Sequence, residues 1–128
     1  MNINITTNFD IKNFYSSKHK CPNIAKLRHL IFEENMNGVE EIINCITDEE
    51  IINDSEAQHP FLHELCHQYT HNIELLKIVW LSDVFKKYWN NNDYLDKYGN
   101  TPLQRLVNAL SNSDTEDEIW IKKNIIIK

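Results

Sequence analysis

Asp96-Lys-Tyr-Gly-Asn-Thr-Pro-Leu-Gln-Arg-Leu-Val107 is the stretch on which the reading of this chain turns. Asp96 and Gly99 mark a turn, and Gly99 can take a left-handed conformation without steric cost. Thr101 stands where a helix cap belongs, its hydroxyl able to accept from a free N–H of the first turn. Pro102 then falls at the first helical position, where its missing N–H costs nothing. Leu103, Leu106, Val107 and Leu110 recur at helical spacing and give this short helix one apolar stripe. A turn, a Thr-Pro cap and a short amphipathic helix make a unit that cannot bury its apolar face alone, so similar units should flank it.

They do, upstream. Pro22 opens a helix with Ile24, Leu27, Leu30 and Ile31 on one face, and Asn37-Gly38 is expected to stop it. A second helix follows with Val39, Ile42, Ile43 and Ile46 inward and Glu40, Glu41 and Asn44 outward, completing a helical hairpin. Residues 48–58 are acidic and polar around Ile51 and Ile52 and read as a hairpin-like connection. Pro60 then starts a helix carrying Phe61, Leu62, Leu65 and Cys66. A polar break falls at 69–72, and Ile73, Leu76, Val79 and Trp80 continue the pattern. Leu27, Leu62 and Leu103 are separated by 35 and 41 residues. The longer interval places an insertion at 81–93, expected as a lengthened second helix ending in Asn90-Asn91-Asn92.

These units resemble ankyrin repeats, whose period is about 33 residues. The resemblance covers residues 22–110. It is carried by the turn with Thr101-Pro102-Leu103, by Pro60-Phe61-Leu62-His63-Glu64-Leu65, and by Asn37-Gly38-Val39-Glu40-Glu41-Ile42-Ile43. In the second of these Leu62-His63 match the family's Thr-Pro-Leu-His, while Pro60 stands where the Thr belongs. Leu30, Leu65 and Leu106 fill the slot of a small Ala. The expected fold is therefore all-α: a short ankyrin-like solenoid of three divergent repeats at 22–47, 58–93 and 96–110, forming one domain. Residues 1–21, with Ile3, Ile5, Phe9, Ile11, Phe14 and Tyr15, read as an N-terminal cap, with a disordered arm as the alternative. Residues 111–128, with the capping-box pattern Thr115-X-X-Glu118, read as a C-terminal cap.

His63-Glu64-Leu65-Cys66-His67 supports a rival reading, because it satisfies the His-Glu-X-X-His pattern of zinc peptidases. On a helix two imidazoles four apart share a face and can chelate a metal while Glu64 serves as base. A catalytic zinc needs a third protein ligand, and His59 and His71 each stand about 6 Å of helical rise from their nearest neighbour in the pair. No Gly follows His67 to turn the chain toward a more distant ligand. The ankyrin resemblance instead implies a structural His63, bonded through its ring to neighbouring groups.

Composition narrows the function classes. The chain has 128 residues, 41% hydrophobic and 25% charged, with a net charge of −6. That charge argues against a nucleic-acid partner, which needs clustered Lys and Arg. No apolar run approaches the roughly 20 residues that span a bilayer, and Met1–Asn8 lacks the pattern of a signal peptide. Cys21, Cys45 and Cys66 fit buried thiols in a reducing, cytoplasmic setting better than a disulfide framework. Two glycines, Gly38 and Gly99, are too few for a phosphate-cradling loop. Cys66 and His67 are adjacent on a helix and point apart.

The ankyrin resemblance implies a protein-interaction module with no catalysis and no cofactor, binding through its hairpin tips and the face formed by its first helices. On this chain the tips fall near Asp54, Ser55, Glu56, Gln58, Tyr94, Lys97 and Tyr98. The helical face falls near Glu64, His67, Gln68, Gln104, Arg105 and Asn108. The Leu62–Cys66 core and the divergent units look most like the small inhibitor-of-NF-κB-like ankyrins of polydnaviruses, a likeness that implies a host Rel-type transcription factor as partner.

Overall fold

The structure, a computed structural model, describes residues 20–57, 59–69, 72–111 and 115–126. Among them the regular secondary structure is all helix, and there is no strand. Residues 1–19 of the expected N-terminal cap, and 112–114, 127 and 128 of the C-terminal one, lie outside the described residues.

Helix α1, Pro22–Phe32, begins on Pro22 and buries Ile24, Leu27, Leu30 and Ile31. It stops earlier than Asn37-Gly38. Glu34 takes a positive φ of 60°, and the Glu34 and Asn35 N–H groups donate back to the Ile31 and Leu30 carbonyls at 3.0 and 2.9 Å. That pairing is a Schellman stop made without glycine. Asn37-Gly38 belongs instead to α2, Met36–Ile43, whose cap is the Asn35 side chain accepting from the Gly38 N–H. Gly38 sits close to α1: a Cβ there would lie 2.9 Å from Leu30 Cδ2 and 3.0 Å from Asn35 Nδ2, so those side-chain ends would have to shift to admit one.

Residues Asp48–Asp54 form a third helix, α3, where a hairpin-like connection was expected. Thr47 accepts from the Glu50 N–H, and Asp48, Glu49 and Glu50 lie in the first turn, where carboxylates favour the helix dipole. Helix α4, Phe61–His67, is buried along most of its length, and α5, Ile73–Trp80, is capped by Asn72 and buries Leu75, Leu76 and Val79. The insertion is not a lengthened helix. Leu81 and Ser82 interrupt the chain, and Asp83–Tyr88 form a 3₁₀ turn. Its aromatics close over the core: Phe85 meets Phe61 at 5.9 Å between ring centroids, Tyr88 meets Tyr94 at 5.4 Å, and Trp89 meets Trp80 at 5.1 Å. Tyr88 Oη and Lys87 Nζ anchor the turn to Asp48 at 2.8 and 3.0 Å.

Helix α6, Pro102–Ala109, starts as expected. Thr101 Oγ1 accepts from the Gln104 N–H, and the Gln104 side chain accepts from the Thr101 N–H at 2.8 Å, a complete capping box. Helix α7, Glu116–Ile121, is capped by Thr115 and runs into a π-helical turn, Lys122–Ile126. The Glu118 carboxylate accepts from Tyr69 Oη at 3.2 Å and Ser111 Oγ at 2.6 Å, tying the C-terminal segment to the residues just after α4. In the packing α1 lies on α2, α4 on α6, and α2 on α5. Leu27, Leu62, Leu75, Leu76, Val79 and Leu106 are fully buried, each worth about 1.5–3 kcal/mol by transfer.

Candidate functional site

Helix α4 carries both sequence readings, and its start explains how its side chains are used. Its cap position is Pro60, which has no side-chain oxygen to offer. The free N–H groups of the first turn are met from elsewhere. Asp54 Oδ2, at the end of α3, accepts from the Phe61 N–H at 2.6 Å, and Tyr94 is hydrogen-bonded to the Leu62 backbone. Arg28 of α1 holds this arrangement together. It pairs with Glu64 through Nη1 and with Asp54 at 3.6 Å through Nη2, and donates to the His59 carbonyl at 3.0 Å. All three charged side chains are within 5% of complete burial.

That network corrects the expected partner-binding set. Glu64 and Tyr94 are buried, not displayed, and so is Asp54. Asp54 accepts from the Phe61 N–H at the start of α4, which Pro60 cannot cap, and Glu64 is held by Arg28. Burial pushes the Asp54 carboxyl above its usual range, against Arg28 and the Phe61 N–H. The same burial opposes the charge on Arg28, yet Asp54 and Glu64 outweigh it and hold the guanidinium above its ordinary value. Arg28 was missed in the sequence, although a signal existed: it stands four residues after Ile24 and three before Ile31, a charge on an apolar stripe.

The His-Glu-X-X-His row is divided between core and surface. His63 is buried, its Nε2–H donating to the Asn100 carbonyl at 2.7 Å, with its ring 5.0 Å from that of Tyr94. This fixes the tautomer and leaves Nδ1 buried without a hydrogen bond, in the first turn of a helix whose cap, Pro60, offers no side-chain acceptor. Burial holds the imidazole below its ordinary pKa, partly offset by the Asn100 bond. Glu64 is committed to Arg28, and His67 is exposed. His71 lies outside the described residues. Among the described residues no group of three His, Cys, Asp or Glu side chains is arranged to hold a metal ion. Burial raises the Cys21 thiol to about 12 and also raises that of Cys66, so neither is poised as a nucleophile.

The remaining expected positions group into a tip and a face. At the tip, Asp96 Oδ1 accepts from the Tyr98 and Asn100 N–H groups at 3.0 and 2.9 Å, and Gly99 completes the turn at φ 82°. Tyr98 projects from it, 68% exposed, with Lys97 Nζ 5.2 Å from its ring centroid. The second Asp96 oxygen lies 3.5 Å from Arg105 Nε, joining the tip to α6. On the face between α4 and α6, His67 and Asn108 are exposed and Gln68 and Arg105 half-buried. Gln104 is exposed there too, although its side chain closes the capping box. Glu56 is exposed apart from these, paired with Lys20 at 3.0 Å, and Gln58 lies outside the described residues.

No known protein family, curated protein or solved structure matches the chain. The ankyrin resemblance therefore rests on the residues quoted above alone. Among the described residues no helix is long and apolar enough to cross a membrane.

Proposed function

We propose that this chain is a non-catalytic protein-interaction module of ankyrin-like build, binding a protein through the Lys97–Tyr98 tip and the adjoining face of α4 and α6. The observation that carries this reading is Tyr98. A large aromatic side chain left in water costs free energy unless something covers it, and here its turn is pinned by Asp96 in advance of any partner. Rigid, exposed Tyr is the residue type that most often anchors interfaces, because little entropy is lost on binding. Two further features support the ankyrin-like build. The first helices of the second and third units, α4 and α6, pack together, as do the second helices α2 and α5, and His63 reaches forward to the backbone before α6.

The narrower resemblance, to inhibitor-of-NF-κB-like ankyrins, makes a Rel-type transcription factor the first purified partner to test. Binding is to be measured by calorimetry with wild type and Tyr98→Ala, and by affinity capture from host lysate followed by the same comparison. The expected outcome is a partner whose affinity falls about thirtyfold in Tyr98→Ala, the loss of one interface anchor. A partner bound equally well by both proteins would refute the proposed surface.

A further inference from the structure

The residues that the second unit adds beyond the repeat spacing build a surface against the paired second helices, α2 and α5. Their apolar side chains divide. Phe85 and Tyr88 are buried over the core, whereas Leu81 is 71% exposed, the most exposed large apolar side chain among the described residues. Its backbone is held: the Leu81 and Ser82 N–H groups close the end of α5, donating to the Lys77 and Val79 carbonyls at 3.1 Å each. Leu81, Ile78 of α5, Val84 of the 3₁₀ turn and Ile43 of α2 line one hollow of about 570 Å³. A second hollow of about 520 Å³ adjoins it, sharing Asp83 and Val84. A lone exposed Leu is ordinary on a protein surface. One set in a hollow with three other aliphatic side chains, under a polar rim, marks a contact surface.

We propose that this groove binds a short basic and apolar segment of another protein. One bulky aliphatic side chain enters the hollow against Leu81, Ile78 and Val84, and a flanking Lys or Arg meets Glu40. The groove shares no residue with the Tyr98 tip or with the face of α4 and α6, so it is a second contact surface, beyond the one proposed above.

Charge decides the occupant. The lining of the larger hollow includes two carboxylates, Glu40 and Asp83, and no cation. Glu40 is exposed, and its carboxylate has no partner among the described residues. Asp83 pairs with Lys86 at 2.9 Å, but both side chains are largely exposed, so a docking cation can share that carboxylate with little loss. Lys87, at the second hollow, is held by Asp48 at 3.0 Å. The chain's net charge of −6 adds a field that draws in a basic segment. The same field repels a second copy of this chain and an anionic lipid surface. The aliphatic lining requires the segment to be apolar as well, because a purely cationic one leaves Leu81 in water.

The test uses the full chain and a blocked peptide, Ala-Arg-Ala-Leu-Leu-Ala-Arg-Ala. One control peptide carries Glu for both Arg, and another carries Ser for both Leu. The basic apolar peptide should shift the methyl resonances of Ile78, Leu81 and Val84 saturably in NMR spectra. It should bind more weakly at about 0.5 M salt than at about 0.05 M, because its ion pair is exposed. Leu81→Ser should weaken it about tenfold, and Glu40→Gln about threefold. Both positions are exposed, so both variants should keep the wild-type circular dichroism spectrum; Glu40→Gln and the salt series decide alone if Leu81→Ser unfolds. Either control peptide binding as tightly as the probe overturns the proposal. So do equal affinities for wild type and variants, or saturable shifts confined to other residues. A dimer abolished by Leu81→Ser, with no peptide bound, assigns the groove to a second copy and overturns it too. Phosphatidylserine vesicles bound through Leu81, again without peptide binding, assign it to a lipid surface with the same result.

Discussion

Replacing Arg28 by Met should be the most damaging single change outside the apolar core, and its cost should depend on pH. The side chains of Arg28, Asp54 and Glu64 are 1%, 0% and 5% exposed. Removing the cation strands two carboxylates where water cannot reach them, and also deprives the His59 carbonyl of its donor. Breaking a buried ion pair from one side costs about 3–5 kcal/mol, a large share of the roughly 5–15 kcal/mol that holds a domain of this size together. The Phe61 N–H still supports Asp54, so about 4 kcal/mol is expected near pH 7 rather than two separate penalties summed. Asp54 is already raised by burial with Arg28 opposing; without Arg28 it rises further. A carboxyl whose folded pKa lies above its unfolded value contributes stability at low pH, and this is lost as pH rises from the unfolded to the folded value. The deficit of Arg28→Met should therefore shrink on acidification, by about 1.4 kcal/mol per pH unit for each carboxyl that takes up a proton. Urea denaturation followed by far-UV circular dichroism, at several pH values, measures both quantities. The triple variant Arg28→Met, Asp54→Asn, Glu64→Leu removes every charge of the triad and should return to within about 2 kcal/mol of wild type, because the amide oxygen introduced by Asp54→Asn can still accept from the Phe61 N–H. A loss under about 1 kcal/mol in the single variant, or a triple variant no better than the single, would show that the triad does not behave as a buried charge network.

Two other stability changes follow from the caps and the tautomers. Thr101→Ala breaks a complete capping box and should cost about 1 kcal/mol, read from the urea midpoint at unchanged slope; a cost near zero would mean that α6 is fixed by packing alone. His63 is held neutral by burial, with a folded pKa below its unfolded one. Its protonation therefore favours unfolding, and stability should fall as pH drops below about 6.5. His63→Asn should be less stable near neutral pH and lack that component of the acid loss; an unchanged pH profile in His63→Asn would place the titration elsewhere.

Much of the helical layout was legible because it is written in local chemistry. Thr101-Pro102, Pro22 and the apolar stripes each act within a few residues of themselves. The elements that were misread had local signals of comparable size pointing two ways. Asn37-Gly38 has the composition of a helix stop, yet Gly38 was serving the approach of α2 to Leu30, a contact that only the folded hairpin creates. The stop itself fell on Glu34, whose positive φ no local preference favours. Thr47-Asp-Glu-Glu50 is a helix start, but its acidic run resembles a solvated loop until Ile51 finds the core. The aromatics of 81–94 matched helical spacing and instead folded a 3₁₀ turn back over Phe61 and Trp80.

The candidate site was legible only in part, and Pro60 is the reason. In the third unit the cap and its reciprocal bond are satisfied within Thr101–Gln104, so the surface residues there fall where the pattern puts them. In the second unit Pro60 removes the capping hydroxyl. The acceptor then comes from Asp54, seven residues before Phe61, with Tyr94, far downstream, bonded at Leu62. A buried carboxylate requires a counter-charge, which draws Arg28 in from the first helix, and Arg28 in turn draws in Glu64. Three expected surface positions, Asp54, Glu64 and Tyr94, thus lie in the interior. His67, the last residue of a helix otherwise committed to the core, is its outward-facing remainder.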